Sequence, residues 1–261
     1  HMRLYQSPLD IAQTMRDKVL SHAFDEANRK SWIFTSATLG HEPTLRWFIE
    51  SCGLTNAKVL KIESPFDYAQ QAALYVPEDM PPTSNSLHPG AVAHFAAKGA
   101  LVLGGRTLVL TTTLRSMRLI GAEIRSHFAL VGSDIEVWVQ GEAPKQEIIR
   151  TMNLAHGSKG CVVVASVSFW EGVDIPGAAL QLLVVDKLPF VPPDDPIQQS
   201  RAKQLEKSGK SPFRELHLPQ AAVALKQGAG RLIRRETDKG ILVVCDVRLS
   251  TMGYGKKLIA A

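Results

Sequence analysis

Short apolar runs alternate with longer helical segments along this chain, and this alternation limits the folds open to it. Most of the runs are continuous rather than alternating, as in Thr107–Thr111 (TLVLT) and Cys161–Ala165 (CVVVA). A strand with this composition is buried on both faces, as happens when helices cover both sides of a parallel sheet. The pattern therefore predicts an α/β fold, a mostly parallel sheet with helices on both faces.

Eight runs are predicted as strands: Trp32–Thr35, Val59–Ile62, Ala73–Val76, Thr107–Thr111, Ile135–Val139, Cys161–Ala165, Leu180–Val185 and Gly240–Cys245. Eight segments between them carry helical periodicity: Pro8–Phe24, Pro43–Ser51, Pro89–Leu103, Leu114–Phe128, Lys145–Ala155, Ile197–Lys207, Pro219–Arg234 and Thr251–Ala260. In open α/β sheets the working loops follow the carboxyl ends of the strands, so chemistry is expected there.

Composition restricts the function classes only loosely. The 261 residues are 45% hydrophobic and 21% charged, as in ordinary globular proteins. No apolar run approaches the ~18 residues that span a bilayer, so no membrane partner is expected. A net charge of +5 suits a polyanionic partner, although many cytoplasmic enzymes are equally basic.

The three cysteines, Cys52, Cys161 and Cys245, are far apart and form no CxxC pair. They are typical of small buried residues in a reducing compartment, which predicts a cytoplasmic protein. The histidines are scattered without ligand spacing, so no metal site is expected. A four-cysteine cluster cannot be built from this chain alone.

The strongest signal is the run QGAGRLIRR at Gln227–Arg235. On a helix, Gln227, Arg231 and Arg234 fall within a ~60° arc of one face. Two guanidiniums there match a phosphate, and an arginine on a γ-phosphate neutralises the charge that develops during transfer. A solvated basic helix end would have the same composition, because cations are favoured near a helix C-terminus.

Three further loops follow predicted strands and are rich in hydroxyl groups. The loop Ser166–Gly177 (SVSFWEGVDIPG) adds two carboxylates, and its hydroxyl and backbone N–H groups can hold a phosphate. Trp170 could stack on a base, although a lone tryptophan is more often a core residue. The segment Thr111–Ser116 leads into a helix, where Thr112 or Thr113 is a good N-cap. An uncovered helix N-terminus also binds phosphate, and Ser31–Leu39 ends in small hydroxyls.

At these residues the chain resembles the C-terminal motor domain of superfamily 2 DNA helicases of the DinG/XPD group, most closely the bacterial YoaA-type branch. The resemblance is carried by TSATL at Thr35–Leu39 (motif III), LVLTTTLRSM at Leu108–Met117 (motif IV), SVSFWEGVDIPG at Ser166–Gly177 (motif V) and QGAGRLIRR at Gln227–Arg235 (motif VI). It extends to ESPFDY at Glu63–Tyr68, VQGE at Val139–Glu142, DKLPFVPPDDP at Asp186–Pro196 and CDVRL at Cys245–Leu249. Motif V and motif VI in this order and spacing are specific, and the resemblance implies a RecA-like domain.

The resemblance implies a role in ATP hydrolysis for motif VI. Arg234 would be the arginine finger, Arg231 would also reach the γ-phosphate, and Gln227 and Gly230 would form the edge of the cleft. Three residues of motif V would couple the nucleotide to the DNA track: Glu171, Gly172 and Asp174.

The resemblance also implies a track for single-stranded DNA. Thr112, Thr113 and Ser116 of motif IV would contact its backbone. Ser168 and Trp170 of motif V are expected on the same track. Ser36 and Thr38 of motif III would relay between two motor domains.

Such motors need a first domain with a phosphate loop and a DEAH box, and neither motif occurs in these 261 residues. Ser208–Ser211 reads SGKS, but position 204 is Gln where a phosphate loop needs Gly. The resemblance therefore implies that ATP and Mg²⁺ bind mainly to a first helicase domain of the same protein. That domain also holds an iron–sulfur cluster in many relatives, which the parent protein could share. YoaA-type helicases further allow a DNA polymerase accessory subunit as partner.

The opening His1-Met2 is interpreted as a cloning remnant and the chain as an excised part of a longer protein. Residues 3–60 are expected to lie at the junction with the first motor domain and to carry motif III. Residues 61–261 are expected to form the second RecA-like domain. The parent would be an ATP-dependent helicase of 5′-to-3′ polarity in DNA repair or replication, and this chain alone would be inactive.

Two other function classes remain as alternatives. One is a non-catalytic domain that docks replication or repair proteins, for which the arc of Gln227, Arg231 and Arg234 would have no use. The other is a Rossmann-type oxidoreductase, which the missing third glycine after Gly228 and Gly230 disfavours.

Overall fold

In a computed structural model of the protein, the described residues are 8–21, 31–36, 44–154, 160–166, 169, 175, 177–192 and 194–260. The chain divides into two compact units. The first takes its residues from 1–63, 190–223 and 260–261, and the second from 64–189 and 224–259. The predicted domain division after residue 60 stays a prediction.

The second unit contains a six-stranded sheet in which every neighbouring pair is parallel. Its strands, in chain order, are β1 (Ala72–Tyr75), β2 (Thr107–Thr111), β3 (Glu136–Val139), β4 (Cys161–Ser166), β5 (Leu182–Val185) and β6 (Gly240–Val244). Their spatial order is β1-β6-β5-β2-β4-β3. The parallel α/β fold is therefore confirmed, and six of the eight predicted runs form its strands.

The helices connect these strands and also occur in the first unit. They are α1 (Ile11–Met15), α2 (Arg46–Ser51), α3 (Tyr68–Gln71), α4 (His88–Leu103), α5 (Leu114–Leu130), α6 (Lys145–Leu154), α7 (Pro196–Lys207), α8 (Leu218–Ala229), α9 (Arg248–Thr251) and α10 (Gly255–Ala260). Two π-helical turns, Arg16–Leu20 and Phe213–His217, follow α1 and precede α8. Proline at the first position of α7, after the N-cap Asp195, fits the rule that proline begins a helix.

The core of the second unit lies between the sheet and the helices α4 and α5. The central strands are almost fully buried, and the α4 residues that face them are small, including Ala93, Ala96 and Ala100. Helix α6 packs on β4, with Ile148 and Met152 fully buried. The double burial explains why β2 and β4 read as continuous apolar runs.

A close backbone crossing fixes the amino ends of β2 and β4. Gly105, just before β2, has a φ of +92°. A methyl group on it would lie 2.3 Å from the carbonyl carbon of Gly160 and 2.6 Å from the backbone nitrogen of Cys161. Only glycine permits both this φ and this approach.

Two predicted strands are wrong. The structure describes Trp32–Thr35 and Val59–Ile62 without regular secondary structure. Their side chains remain exposed: Ile33 is 85%, Leu60 82% and Ile62 81% accessible. A strand needs a neighbour with which it pairs, and neither segment pairs as a strand in the part of the chain that the structure describes.

Two helix predictions also need correction. The helix expected over Pro219–Arg234 ends at Ala229. A turn begins at Gly230, and residues 231–234 are not helical. The helix expected over Thr251–Ala260 is interrupted, so that α9 and α10 are separate. No helix among the described residues combines the length and apolar character needed to span a bilayer.

We expect Gly105→Ala to lower the free energy of unfolding by about 3 kcal/mol or more, because the new methyl group would overlap the backbone at Gly160. Gly132→Ala is the matched control. Gly132 has a φ of +67° but no atom within 4 Å of the added methyl group, so only the ~1–2 kcal/mol cost of its φ should appear. Chemical denaturation of both variants measures the difference, and equal losses would contradict the crossing.

Candidate functional site

The carboxyl edge of the sheet gathers polar residues from adjacent strands. Thr112 follows β2, Ser166 ends β4 and Asp186 follows β5. The Thr111 hydroxyl donates to the Ala165 carbonyl at 3.3 Å and so joins two of these strand ends. On the far side of β4, the Gln140 side-chain oxygen accepts hydrogen bonds from the Ser166 backbone N–H at 2.8 Å and from its hydroxyl at 2.9 Å.

The first turn of α5 engages two of the predicted DNA contacts. Thr113 is the N-cap, and its hydroxyl oxygen accepts the Ser116 backbone N–H at 3.2 Å. The two hydroxyls lie 2.9 Å apart, and Ser116 is only 8% accessible. The N-cap interpretation therefore holds for Thr113. Arg115, in the same turn, is exposed.

Asp186 is a fully buried carboxylate that the sequence did not single out. Its Oδ1 accepts the backbone N–H of Thr112 at 3.0 Å, which ties the end of β5 to the loop after β2. Burial raises the pKa of Asp186 from 3.8 to about 7, although Lys187, with its Nζ 3.9 Å from Oδ2, favours the charged form. The Thr112 hydroxyl is also buried, and within the described part of the chain neither it nor Asp186 Oδ2 has a hydrogen-bond partner.

A second buried carboxylate, Asp246, fixes the next strand end. Arg248 donates to it from Nε at 2.9 Å and from Nη2 at 2.6 Å, and Leu188 donates its backbone N–H at 2.9 Å. Burial alone would raise the pKa of Asp246, but the hydrogen bonds from Arg248 and Leu188 outweigh it and lower the pKa. Two buried carboxylates therefore fix the segment Asp186–Leu188: Asp186 at its start, and Asp246 through the backbone N–H of Leu188 at its end.

The arginines of motif VI do not share a helix face. Gln227 is exposed on the last turn of α8, whereas Gly230 and Arg231 lie in the turn after it and Arg234 lies beyond that turn. The predicted helical arc of Gln227, Arg231 and Arg234 is wrong, because Leu232 is buried in a non-helical segment. We call residues 230–238 the arginine loop; it enters β6 at the amino end of that strand.

Asp238 organises the arginine loop. Its Oδ2 accepts the backbone N–H groups of Arg234 at 2.9 Å and Arg235 at 2.8 Å. A methyl group on Gly177 would lie 2.0 Å from Asp238 Cγ, so this glycine allows the carboxylate to sit against the backbone of motif V. The hydrogen bonds to Asp238 and the burial of Leu232 therefore constrain the loop.

Motif V connects the two edges of the sheet. It leaves β4 at Ser166, and its Phe169 and Ile175 are buried. These side chains line a small cavity on one face of the sheet, together with Arg231 and with Leu108, Leu110, Leu183 and Gly228. The segment then reaches Gly177, beside Asp238. Motif V and the arginine loop are therefore in direct contact.

Six predicted site residues lie outside the described residues: Thr38, Ser168, Trp170, Glu171, Gly172 and Asp174. Ser36 is exposed in the first unit, on a groove lined by residues of 32–36 and 57–62 and of α2. Among the described ranges, no cluster of three or more His, Cys, Asp or Glu side chains is placed to hold a metal ion.

We expect Asp186→Asn to change how stability depends on pH. In the folded protein the pKa is about 7 rather than 3.8, so the folded state binds more protons between these pH values. Raising the pH across this window must therefore destabilise the wild type, by up to ~1.4 kcal/mol per pH unit. The neutral amide keeps an acceptor for Thr112 and lacks this titration. Denaturation of both proteins from pH 4 to pH 8 measures the effect; parallel curves would contradict it.

Comparison with known proteins places this geometry in a family. The model of the helicase C-terminal domain matches residues 99–261. The ATP-dependent DNA helicase YoaA of Escherichia coli (strain K12) is 37% identical over all of this chain, which covers 39% of that protein. The 3′-5′ exonuclease DinG of Bacillus subtilis (strain 168) is 29% identical over 99% of this chain, which covers 27% of it. The chain thus spans well under half the length of these relatives.

Among solved structures, S. tokodaii Xpd4 aligns with 80% of this chain and 40% of its own, with a TM-score of 0.54 and 16% identity. That likeness concerns the fold alone and supports the RecA-like description. The match of the family model covers most of the second unit, including β2 to β6 and the arginine loop. The chain therefore belongs to the helicase C-terminal domain family.

Proposed function

We propose that this chain is the second motor domain of an ATP-dependent DNA helicase. The observation that carries the proposal is the path of motif V. Its described residues run from the hydroxyl-rich carboxyl edge, across the sheet face, to the arginine loop. Such a link would let ATP hydrolysis at one edge of the sheet act on DNA at the other.

In this proposal Arg234 is the arginine finger and Arg231 assists it at the γ-phosphate. Guanidiniums are planar and permanently charged, so they suit the phosphoryl oxygens on which charge develops. An arginine that acts in this way must be positioned before the reaction, because the rate depends on placement. The hydrogen bonds from the Arg234 and Arg235 N–H groups to Asp238 supply that positioning. Gln227 and Gly230 would form the adjoining edge of the cleft.

Single-stranded DNA is proposed to pass along the carboxyl edge. Thr113 and Ser116 present the N-terminus of a 17-residue helix, where the backbone N–H groups and the helix dipole favour a phosphate. The exposed Arg115 adds a cation to the same turn. The buried Thr112 hydroxyl contributes to this surface only if the loop shifts, whereas Ser168 and Trp170 would extend the track from motif V.

The first helicase domain of the same protein is the proposed partner of the first unit. The relatives are more than twice as long as this chain, so a further domain has room in the parent. Residues 31–36 and 57–62 have no regular secondary structure and carry exposed apolar side chains, including Ile33, Leu60 and Ile62. Both would gain strand neighbours and lose their apolar exposure against such a domain. Ser36 and Thr38 would then lie at the junction of the two motor domains.

The cofactors and wider role belong to the same proposal. ATP and Mg²⁺ would be held mainly by the first domain, and Glu171, Gly172 and Asp174 would couple the nucleotide to the DNA track. Any iron–sulfur cluster would also lie outside this chain. The family resemblance supports 5′-to-3′ polarity, a role in DNA repair or replication, and a DNA polymerase accessory subunit as an additional partner.

We expect Arg234→Ala in the intact helicase to lower kcat for ATP about 10³-fold or more, the usual effect of losing an arginine finger. Affinity for single-stranded DNA should change little, because the DNA track lies at the other edge of the sheet. Arg235→Ala is the matched control, since Arg235 is the exposed neighbour and also keeps its backbone bond to Asp238. Steady-state ATP hydrolysis with saturating DNA measures both variants. Equal kcat values for the two would refute the assignment of Arg234.

A further inference from the structure

The arginine loop has an anchor far away in the sequence, the side chain of Gln71. This residue ends α3 and lies outside every helicase motif named above. It is only 7% accessible. Its amide nitrogen donates to the carbonyl oxygen of Arg235 at 2.8 Å and to that of Asp238 at 3.1 Å. One side chain therefore holds both ends of the turn that follows Arg234.

The register of the sheet explains how Gln71 reaches this turn. Strand β1 pairs with β6 so that Ala72 lies opposite Gly240. The residue before Ala72 must then lie beside the residues that enter β6. A buried glutamine at this point donates to the buried carbonyl of Asp238, which would cost free energy if left unpaired, and gives the Arg235 carbonyl a second donor.

Asp238 and Gln71 bind the backbone of the turn that follows Arg234, one through its N–H groups and the other through its carbonyl groups. Asp238 Oδ2 accepts the N–H groups of Arg234 and Arg235, and the Asp238 N–H donates to the Arg235 carbonyl at 3.1 Å. Gln71 binds the carbonyl oxygens of the same turn. Gly177 leaves room for the Asp238 carboxylate against motif V. The backbone N–H and carbonyl groups of Arg235, the residue after the proposed finger, are therefore both hydrogen-bonded.

We propose that Gln71 and Asp238 form a clamp that positions Arg234 for catalysis, Gln71 acting through the backbone of the arginine loop. The catalytic part of this inference rests on the proposed function. Neither residue needs to contact the nucleotide. Loss of the clamp should leave the binding of ATP and DNA largely in place, since ATP would be held mainly by the first domain and DNA along the carboxyl edge, and should impair the step that needs the guanidinium.

The first test concerns the loop itself and uses this chain. Gln71→Met removes the amide donors while keeping a side chain of similar length. We expect the backbone amides of Arg234 and Arg235 to exchange with deuterium about tenfold faster. Gln70→Met is the matched control: Gln70 is the exposed neighbour, and its amide donates to Asp67 within its own helical turn. Unchanged exchange at both amides in Gln71→Met would overturn the clamp.

The second test concerns catalysis in the intact helicase. We expect Gln71→Met to lower kcat about 10²-fold, the order expected for a misplaced catalytic group, with the KM for ATP and the affinity for DNA within about threefold of wild type. Gln70→Met should retain wild-type values. A lower unfolding temperature with unchanged kcat would mean that Gln71 only stabilises the fold, and would refute its positioning role.

A second pair of variants serves if Gln71→Met does not fold. Asp238→Asn keeps an oxygen that can accept the two N–H groups, whereas Asp238→Ala removes it. The clamp predicts that kcat is largely retained in Asp238→Asn and lost in Asp238→Ala; equal values would overturn it. If the wild-type intact protein hydrolyses no ATP, the proposed function fails, and the exchange measurement still decides whether the clamp exists.

Discussion

In a parallel sheet, every connection must return from the carboxyl edge of one strand to the amino edge of the next, and this constraint organises the molecule. The β4–β5 connection is motif V, so this one segment begins beside the hydroxyl-rich loops and ends beside the arginine loop. Its buried side chains Phe169 and Ile175 pack on the sheet between these two points. In the proposed motor, these buried side chains would link the DNA track to the arginine loop.

Three buried carboxylates hold the loops that the sheet brings together. Asp186 fixes the loop before α5, Asp246 fixes the segment after β5, and Asp238 fixes the arginine loop. In each case a side-chain oxygen satisfies backbone N–H groups that lie beyond the sheet ladder. Such polar contacts are directional, so they define loop conformations more narrowly than apolar packing does. This arrangement fits the proposal that the arginine loop presents Arg234 to a nucleotide.

The sequence was informative where burial on both faces leaves a recognisable apolar run. Thr107–Thr111 and Cys161–Ala165 were recognisable because strands covered on both faces are continuously apolar. The loop after Ala229 was not predictable in this way. There Leu232 and Ile233 are buried in a turn, and their spacing imitates a helix. Strands were wrongly expected at Trp32–Thr35 and Val59–Ile62, because a β-branched composition does not reveal whether a pairing partner is present.

The residues of the candidate site also divide into those that the local sequence predicts and those that it does not. Motif residues such as Thr113 and Arg234 could be named from the sequence, because each belongs to a short run of consecutive motif residues. Gln71, Asp186 and Asp238 could not, since each acts on a backbone group that only the register of the sheet brings near it. For Gln71 the separation from its partners exceeds 160 residues.

We propose that this chain is half of a motor and needs a first domain to hydrolyse ATP. The direct measurement is ATP turnover, with saturating single-stranded DNA, by this chain and by the intact protein at equal concentration. We expect no turnover above background for this chain and DNA-stimulated turnover for the intact protein. ATP hydrolysis by this chain alone, at a rate similar to that of the intact protein, would contradict it.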